Sequence, residues 1–119
     1  MTAFDYIIPV PLHPTRLRER GFNQSELLGQ MLAEKYPLAL STDIVKRTRY
    51  TTNQARLTKK ERWTNTFRAF KIKQPSHVIN KNILIVDDLY TTGATSSEIA
   101  RILKEAGAGR VSLLALAIA

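Results

Sequence analysis

The residues with the clearest chemical meaning lie between Ile83 and Thr95, in the run ILIVDDLYTTGAT. Its four leading apolar residues predict a buried strand, which places the adjacent carboxylates of Asp87 and Asp88 at its carboxyl end. Two neighbouring acids repel each other and lose hydration unless hydroxyl donors or a divalent cation offset both costs. The pair is therefore suited to binding the hydroxyl groups of a sugar.

A small, hydroxyl-rich turn follows the acid pair and leads into a predicted helix. It consists of Thr91, Thr92, Gly93, Ala94 and Thr95. Backbone amides, threonine hydroxyls and the positive end of a helix dipole together suit a phosphate monoester. Acids for a diol, followed by a nest for a phosphate, predict a ribose 5-phosphate site. In the alternative interpretation the acids simply end a strand and the threonines cap a helix.

The positive charge of the chain is concentrated in one segment. Between Lys46 and Lys73 there are ten basic residues and a single acid, Glu61, so the net charge of this segment is +9. The rest of the chain has a net charge of −1, which gives the whole chain its +8. Such a field indicates a polyanionic partner such as phosphate, pyrophosphate or a nucleic-acid backbone. The alternative is a solvated basic surface.

Short apolar runs alternate with helical patterns along the 119 residues. Strands are predicted at residues 4–10, around Ile44 and Val45, at 67–72, from Ile83 to Val86 and, buried, at 111–118. Helices are predicted from Asn23, in a capping box with Glu26, to near Tyr36; from Thr58, carrying Trp63; and after Thr95, closing at Gly107. The stretch bracketed by Pro11, Pro14 and Gly21 is predicted to be a loop, because the prolines at its start disfavour a helix there.

These elements predict an α/β fold with one domain over residues 1–119. Its sheet is doubly wound and mostly parallel, with flanking helices and ligands at the carboxyl ends of the strands. The first long helix is predicted to bury a stripe of apolar residues, Leu27, Leu28, Met31 and Leu32.

Composition excludes several other classes. The sequence has no cysteine, which rules out a disulfide framework, a thiolate zinc site and a cysteine nucleophile. Residues 1–10 lack the pattern of a signal peptide, and no apolar run approaches the roughly 20 residues of a membrane span. A cytoplasmic location without membrane association is expected, and no residue is assigned as a metal ligand.

The run from Ile83 to Thr95 resembles the phosphoribosyl pyrophosphate (PRPP) motif of type I phosphoribosyltransferases. Two further segments, VPLHPTRLRERGFNQSELL at residues 10–28 and NQARLTKKERWTNTFRAF at residues 53–70, resemble the ComF family of competence-associated, phosphoribosyltransferase-like proteins. The resemblance covers nearly the whole chain. It implies that Asp87 and Asp88 bind the ribose hydroxyls, that residues 91–95 bind the 5-phosphate, and that Mg²⁺ is held mainly by PRPP itself. It also implies that Arg20 and Gly21, in a strand-to-helix loop, bind pyrophosphate.

The sequence departs from the family pattern at three points. Many ComF-like proteins carry an N-terminal zinc module with four cysteines, which this sequence lacks. The hood that recognises the nucleobase in type I enzymes is expected to be minimal or absent. Thr91 stands where 6-oxopurine enzymes of this type have an aspartate that acts as a base, so no general base is assigned.

The basic segment spans the position of the mobile catalytic loop in the type I fold, and cations there could close over departing pyrophosphate. Arg49, Asn53, Gln54 and Arg56 are the loop residues predicted to do so. Alternatively, the same charges could follow single-stranded DNA, with bases stacked on interleaved aromatic residues, Tyr50, Trp63, Phe67 and Phe70.

The functional expectation is a ComF-like phosphoribosyltransferase domain that binds PRPP with Mg²⁺ and is associated with natural competence and the uptake of transforming DNA. One alternative is a non-catalytic, PRPP-responsive module for single-stranded DNA or a competence protein. Another is a nucleobase phosphoribosyltransferase of nucleotide salvage. A second copy of the chain, in a homodimer, is a further candidate partner.

Overall fold

The computed structural model describes residues 4–12, 14–48, 69–90 and 93–118. In chain order its elements are β1 (Tyr6–Pro9), α1 (Pro14–Arg20), α2 (Gln24–Lys35), β2 (Ala39–Leu40), β3 (Val45–Arg47), β4 (Phe70–Ile72), a 3₁₀ turn (Pro75–Val78), β5 (Ile83–Tyr90), α3 (Ala94–Glu105) and β6 (Val111–Ile118). The predicted helix at Thr58 and the aromatic residues from Tyr50 to Phe67 lie outside the described residues.

Four strands form a parallel sheet in the order β2-β1-β5-β6. The pairing of β1 with β5 runs from Tyr6 opposite Ile83 to Pro9 opposite Val86. β3 and β4 form a separate antiparallel pair. Parallel strands connected through helices are the arrangement that the alternating apolar runs predicted, and the helix-and-strand order confirms the α/β prediction.

The two long helices cover opposite faces of the sheet. On one face, Ile99 and Leu103 of α3 join Ile8, Ile83 and Ile85 in the buried core, and the β3–β4 pair adds Val45 and Phe70 to the same cluster. On the other face, α2 lies against β1 and β5. This is a doubly wound sheet, and Gly107 follows α3 at the predicted position.

α2 meets the sheet through small residues, which corrects the predicted stripe. Its buried residues are Ser25 and Gly29, whereas Leu27 and Met31 are exposed and Leu28 and Leu32 only half-buried. A Cβ atom at Gly29 would lie 3.0 Å from Leu40 Cδ1, so any larger residue there would force the Leu40 side chain or the helix to shift. Close backbone approach, rather than leucine packing, therefore decides which face of α2 meets the sheet.

Two other expectations from the sequence are wrong, and one strand was not expected. The stretch before Gly21 forms helix α1 because Pro14 is its first residue, where proline's missing N–H is not needed and its fixed φ suits the helix. β6 is an edge strand with exposed Leu113, Leu114 and Leu116, not a buried one. The short strand β2 was not predicted at all.

β5 also extends four residues beyond Val86, to Tyr90, because β6 continues alongside it as far as Ile118. β1 ends opposite Val86, so among the described residues the last half of β5 pairs with β6 alone. No described strand lies beside the carboxyl end of β5 on the side of β1. Among the described residues, no helix is long and apolar enough to cross a membrane.

Candidate functional site

The acid pair lies in the half of β5 that β1 does not reach. Asp87 is opposite Ala115 of β6, and both Asp87 and Asp88 are half-buried. A carboxylate in this position keeps access to solvent and to a ligand above the open edge of the sheet. The structure therefore places both predicted sugar-binding acids at the carboxyl end of the sheet, where ligands bind in folds of this kind.

The first turn of α2 meets the acid pair. Ser25 Oγ donates to Asp87 Oδ1 at 3.5 Å, although the two residues are 62 positions apart. Ser25 is 4% exposed. A long hydrogen bond of this kind can be exchanged for a ligand hydroxyl at small cost, because its geometry is already at the weak limit.

The helix start is held in place by Asn23. Its side-chain oxygen accepts from the amides of Ser25 at 3.0 Å and Glu26 at 3.4 Å, as predicted for a cap, and its Nδ2 donates to the carbonyl oxygen of Val10 at 3.0 Å. The amide of Val10 in turn donates to the carbonyl oxygen of Val86. Hydrogen bonds thus connect the end of β1, the start of α2 and the acid-bearing part of β5.

The phosphate nest predicted on the sequence coincides with the start of α3. Gly93 is the N-cap, with φ of 81°, a left-handed conformation that favours glycine, and Ala94, Thr95 and Ser96 after it are buried. Ser96 Oγ donates to the carbonyl oxygen of Gly93 at 3.3 Å. The first-turn amides of a helix point toward its N-terminal end, where they commonly donate to anions. Thr91 and Thr92 lie outside the described residues.

Gly21 lies between α1 and α2 and Arg20 at the end of α1, not in the strand-to-helix loop that was expected, because α1 intervenes. Arg20 is the last residue of α1, and its Nη2 donates to Gln24 Oε1 at 3.0 Å. The guanidinium also lies 6.0 Å from the centre of the Phe22 ring. Arg20 is thereby positioned beside the first turn of α2, the same turn that contacts Asp87.

Only the base of the basic segment is described. Lys46 of β3 is opposite Lys71 of β4, and both are exposed. The guanidinium of Arg47 lies 4.7 Å from the centre of the Phe70 ring. The four predicted loop residues, Arg49, Asn53, Gln54 and Arg56, lie outside the described residues, so their assignment stays a prediction.

Two side chains at the site were not predicted. Ser25 and Gln24 lie at the site because α2 begins near the carboxyl end of β5. The signal available in the sequence was the cap at Asn23, which places Gln24 and Ser25 in a first helical turn next to a predicted strand end. No group of three acidic or histidine side chains within the described ranges could hold a metal ion.

Comparison with known proteins gives a consistent assignment. Residues 24–118 match the family model described as phosphoribosyl transferase domain. Competence protein F of Haemophilus influenzae is 36% identical over 112 residues, 93% of this chain and 49% of that protein. DNA utilization protein YhgH of Escherichia coli strain K12 is 40% identical over 94% of this chain and 48% of its own length. Competence protein ComFC of Streptococcus pneumoniae is 35% identical over 92% and 46%.

The chain therefore spans about half the length of these curated relatives, and their names confirm the resemblance to the ComF family. A solved structure described as the allosteric regulatory enzyme of purine biosynthesis superposes with a TM-score of 0.61 at 21% identity, over 98% of this chain and 22% of that one. This likeness confirms the fold. The chain belongs to the phosphoribosyl transferase domain family and has its type I α/β fold.

Proposed function

We propose that the chain binds PRPP together with Mg²⁺ at the edge formed by β5, α2 and α3. One observation carries this proposal: the run from Ile83 to Thr95 is a strand bearing two half-buried acids, followed by a left-handed glycine at a helix N-terminus. Asp87 and Asp88 would accept from the ribose hydroxyls. The first-turn amides of α3 and the hydroxyl of Thr95 would donate to the 5-phosphate.

Mg²⁺ fits this proposal as a companion of the ligand. Magnesium in proteins is usually held by one or two carboxylates and the phosphate oxygens of a substrate. The site offers the carboxylates of Asp87 and Asp88, and no group of three acidic or histidine side chains among the described residues could hold the ion by itself, so the diphosphate of PRPP would supply most of the ligands. When bound, the ion would neutralise charge on the diphosphate, and Arg20 would add a cation on the α2 side.

The names of the relatives, competence protein and DNA utilization protein, support a role for this chain in handling DNA taken up by the cell. In such a role PRPP is either a substrate or a regulatory ligand. As a catalyst, the acid pair would stabilise positive charge that builds on the ribose as pyrophosphate leaves. Pyrophosphate release that requires a defined acceptor would establish turnover.

PRPP and ribose 5-phosphate are expected to compete for one site, because the acid pair and the α3 terminus contact only the part that the two ligands share. Competition calorimetry in the presence of Mg²⁺ checks this. Saturating ribose 5-phosphate should abolish the PRPP signal, whereas pyrophosphate alone, which lacks the sugar, should displace PRPP poorly. Simultaneous binding of PRPP and ribose 5-phosphate would contradict the proposed site.

A second candidate function is binding of single-stranded DNA, favoured by the exposed, adjacent Lys46 and Lys71 at the base of the basic segment. Binding is expected to show little sequence preference. Each phosphate neutralised should contribute about 0.7 to the slope of log K against log salt.

Lys71→Gln should reduce that slope by about 0.7. Lys81→Gln, an exposed lysine before β5, is the matched control and should change nothing. A salt-independent affinity would count against this function.

A further inference from the structure

The outer edge of β6 is long and, among the described residues, unpaired. β6 runs from Val111 to Ile118 and pairs on one side with β5, so its other side presents backbone N–H and C=O groups to solvent. At the opposite edge of the sheet, β2 has only two residues. The described part of the sheet therefore has one long edge at which a further strand can pair.

β6 lacks the features by which proteins usually protect such an edge. Its sequence, VSLLALAI, contains no charged residue and no proline. Its register with β5 is continuous from Val111 opposite Ile83 to Ile118 opposite Tyr90, so no bulge bends the strand away from a partner. Charges, prolines and bulges are the usual means of preventing an edge strand from pairing with another chain. An edge without any of them is suited to pairing.

Large apolar side chains flank this edge on both faces of the sheet. Leu116 lines a groove together with Leu27 of α2, so it lies on the α2 face, and Leu114, two residues earlier, shares that face. Leu113 lies on the opposite face. Leu116, Leu114 and Leu113 are 72%, 40% and 37% exposed. A strand added beside β6 would cover leucines on both faces and also satisfy the backbone groups of the edge, which a docked helix would not do.

A second copy of β6 fits this edge in an antiparallel register centred on Ala115. A two-fold axis normal to the sheet keeps each face continuous across the pair, so residues that lie opposite each other must be an even number of positions apart. With Ala115 on the axis, Leu114 lies opposite the partner's Leu116, and the symmetric pair repeats this contact. Although the chain carries +8, no like charges meet in the paired strands, because β6 has no charged residue. Apolar cross-strand contacts of this kind stabilise paired strands.

We propose that β6 is a dimerisation edge and that two copies of the chain pair through it, joining their two four-stranded sheets into one. Each copy has a single long edge among its described strands, and the pairing uses it, so the assembly closes at a dimer instead of growing into a fibre. One strand pair with its leucines is at the small end of specific interfaces, so the dimer should dissociate reversibly in the micromolar range. The proposal is independent of the ligand site proposed above, because β6 supplies no acid or anion-binding group to that site.

Sedimentation equilibrium of the wild-type chain over the micromolar range tests this proposal. The expected result is a monomer–dimer equilibrium that reaches twice the 13.5 kDa of the chain. At submicromolar concentration the chain should be monomeric, and changes on β6 then act as ordinary surface substitutions.

Leu114→Lys and Leu114→Glu should each weaken the dimer at least about tenfold, because position 114 lies diagonal to its counterpart in the partner and two like charges there repel. An equimolar mixture of the two variants should restore the dimer, since the diagonal pair is then oppositely charged. Tyr36→Lys is the control and should leave dimerisation unchanged. Tyr36 is also a large exposed side chain, 57% exposed, but it precedes β2 at the opposite edge of the sheet.

Hydrogen exchange above and below the dissociation constant gives a second readout, because amides on the outer side of β6 should be protected only in the dimer. A wild-type chain that stays monomeric throughout, a dimer that neither Leu114 variant weakens, or a mixture of the variants that stays monomeric would overturn the proposal. Assemblies larger than a dimer would overturn it as well. Outer amides of β6 that are already protected in the monomer would show that another segment of the chain covers the edge, with the same consequence.

Discussion

Asp88→Asn is expected to weaken PRPP binding by about 1–3 kcal/mol, the usual range for the loss of a charged hydrogen-bond partner. Asp87→Asn should have an effect of similar size. The amide is nearly the same size as the carboxylate, so the fold and the contact between β5 and β6 should persist. The expected loss arises because an amide offers the ribose hydroxyls one acceptor oxygen without charge, where the carboxylate offers two.

Asp87→Asn should lose slightly less affinity for PRPP than Asp88→Asn. Ser25 Oγ already donates to Asp87 Oδ1 and can donate equally to the amide oxygen of asparagine, so the environment of residue 87 changes less. Asp43→Asn provides a matched control, because Asp43 is exposed and its only described ion pair, to Lys46, spans 3.8 Å. Calorimetric titration measures all three variants. Wild-type affinity in both Asp87→Asn and Asp88→Asn would rule out the acid pair as the ribose site.

Leu103→Ala is expected to lower the free energy of unfolding by about 2–5 kcal/mol, since a fully buried leucine leaves both lost burial and a cavity. Leu103 is 0% exposed and packs with Ile83, Ile85 and Ile99 beneath the sheet. The loss is a large share of the roughly 5–15 kcal/mol that stabilises a domain. It should reduce ligand binding only through the unfolded fraction, because Leu103 lies about two and a half turns from the start of α3.

Leu116→Ala makes the same chemical change at an exposed site and serves as the control. Its effect should stay within about 0.5 kcal/mol, as is usual for surface substitutions. Urea denaturation of both variants measures the difference. Equal losses of unfolding free energy in Leu103→Ala and Leu116→Ala would contradict the structure, in which Leu103 is buried under the sheet and Leu116 is exposed on β6.

A local ion pair strengthens α3 independently of the site. The Arg101 guanidinium donates to both carboxylate oxygens of the buried Glu98 at 2.7 Å and to Glu105 at 2.8 Å. The hydrogen bond to Glu98 is the main reason that the pKa of Arg101 is raised above its ordinary value. The buried carboxylate of Glu98 therefore has a charged hydrogen-bond partner in Arg101.

The sequence predicted those parts of the site that are close together along the chain. The acids, Gly93 and the start of the helix after it lie within a dozen residues, so the order of apolar, acidic and small residues was enough to indicate their arrangement. Ser25 meets Asp87 from 62 residues away, and only the packing of α2 against β5 brings the two together. No local pattern contains that information.

The same distinction explains the errors in the fold. α2 carries two stripes, one of leucine and methionine and one of small residues, and hydrophobicity alone favours the first. The choice depends on how closely Leu40 and Ile7 allow the helix to approach at Gly29, which is a tertiary distance. The end of β5 depends likewise on β6, which continues to pair beyond Val86 where β1 does not.

Calorimetric titration of PRPP into the wild-type chain, with and without Mg²⁺, tests the central claim most directly. A single ribose 5-phosphate site at the carboxyl end of β5 predicts saturable binding of one PRPP per chain, tighter with Mg²⁺ because the ion neutralises the diphosphate. The signal should weaken in Asp88→Asn and remain in Asp43→Asn. No saturable heat with Mg²⁺ present, or equal binding by wild type and Asp88→Asn, would contradict it.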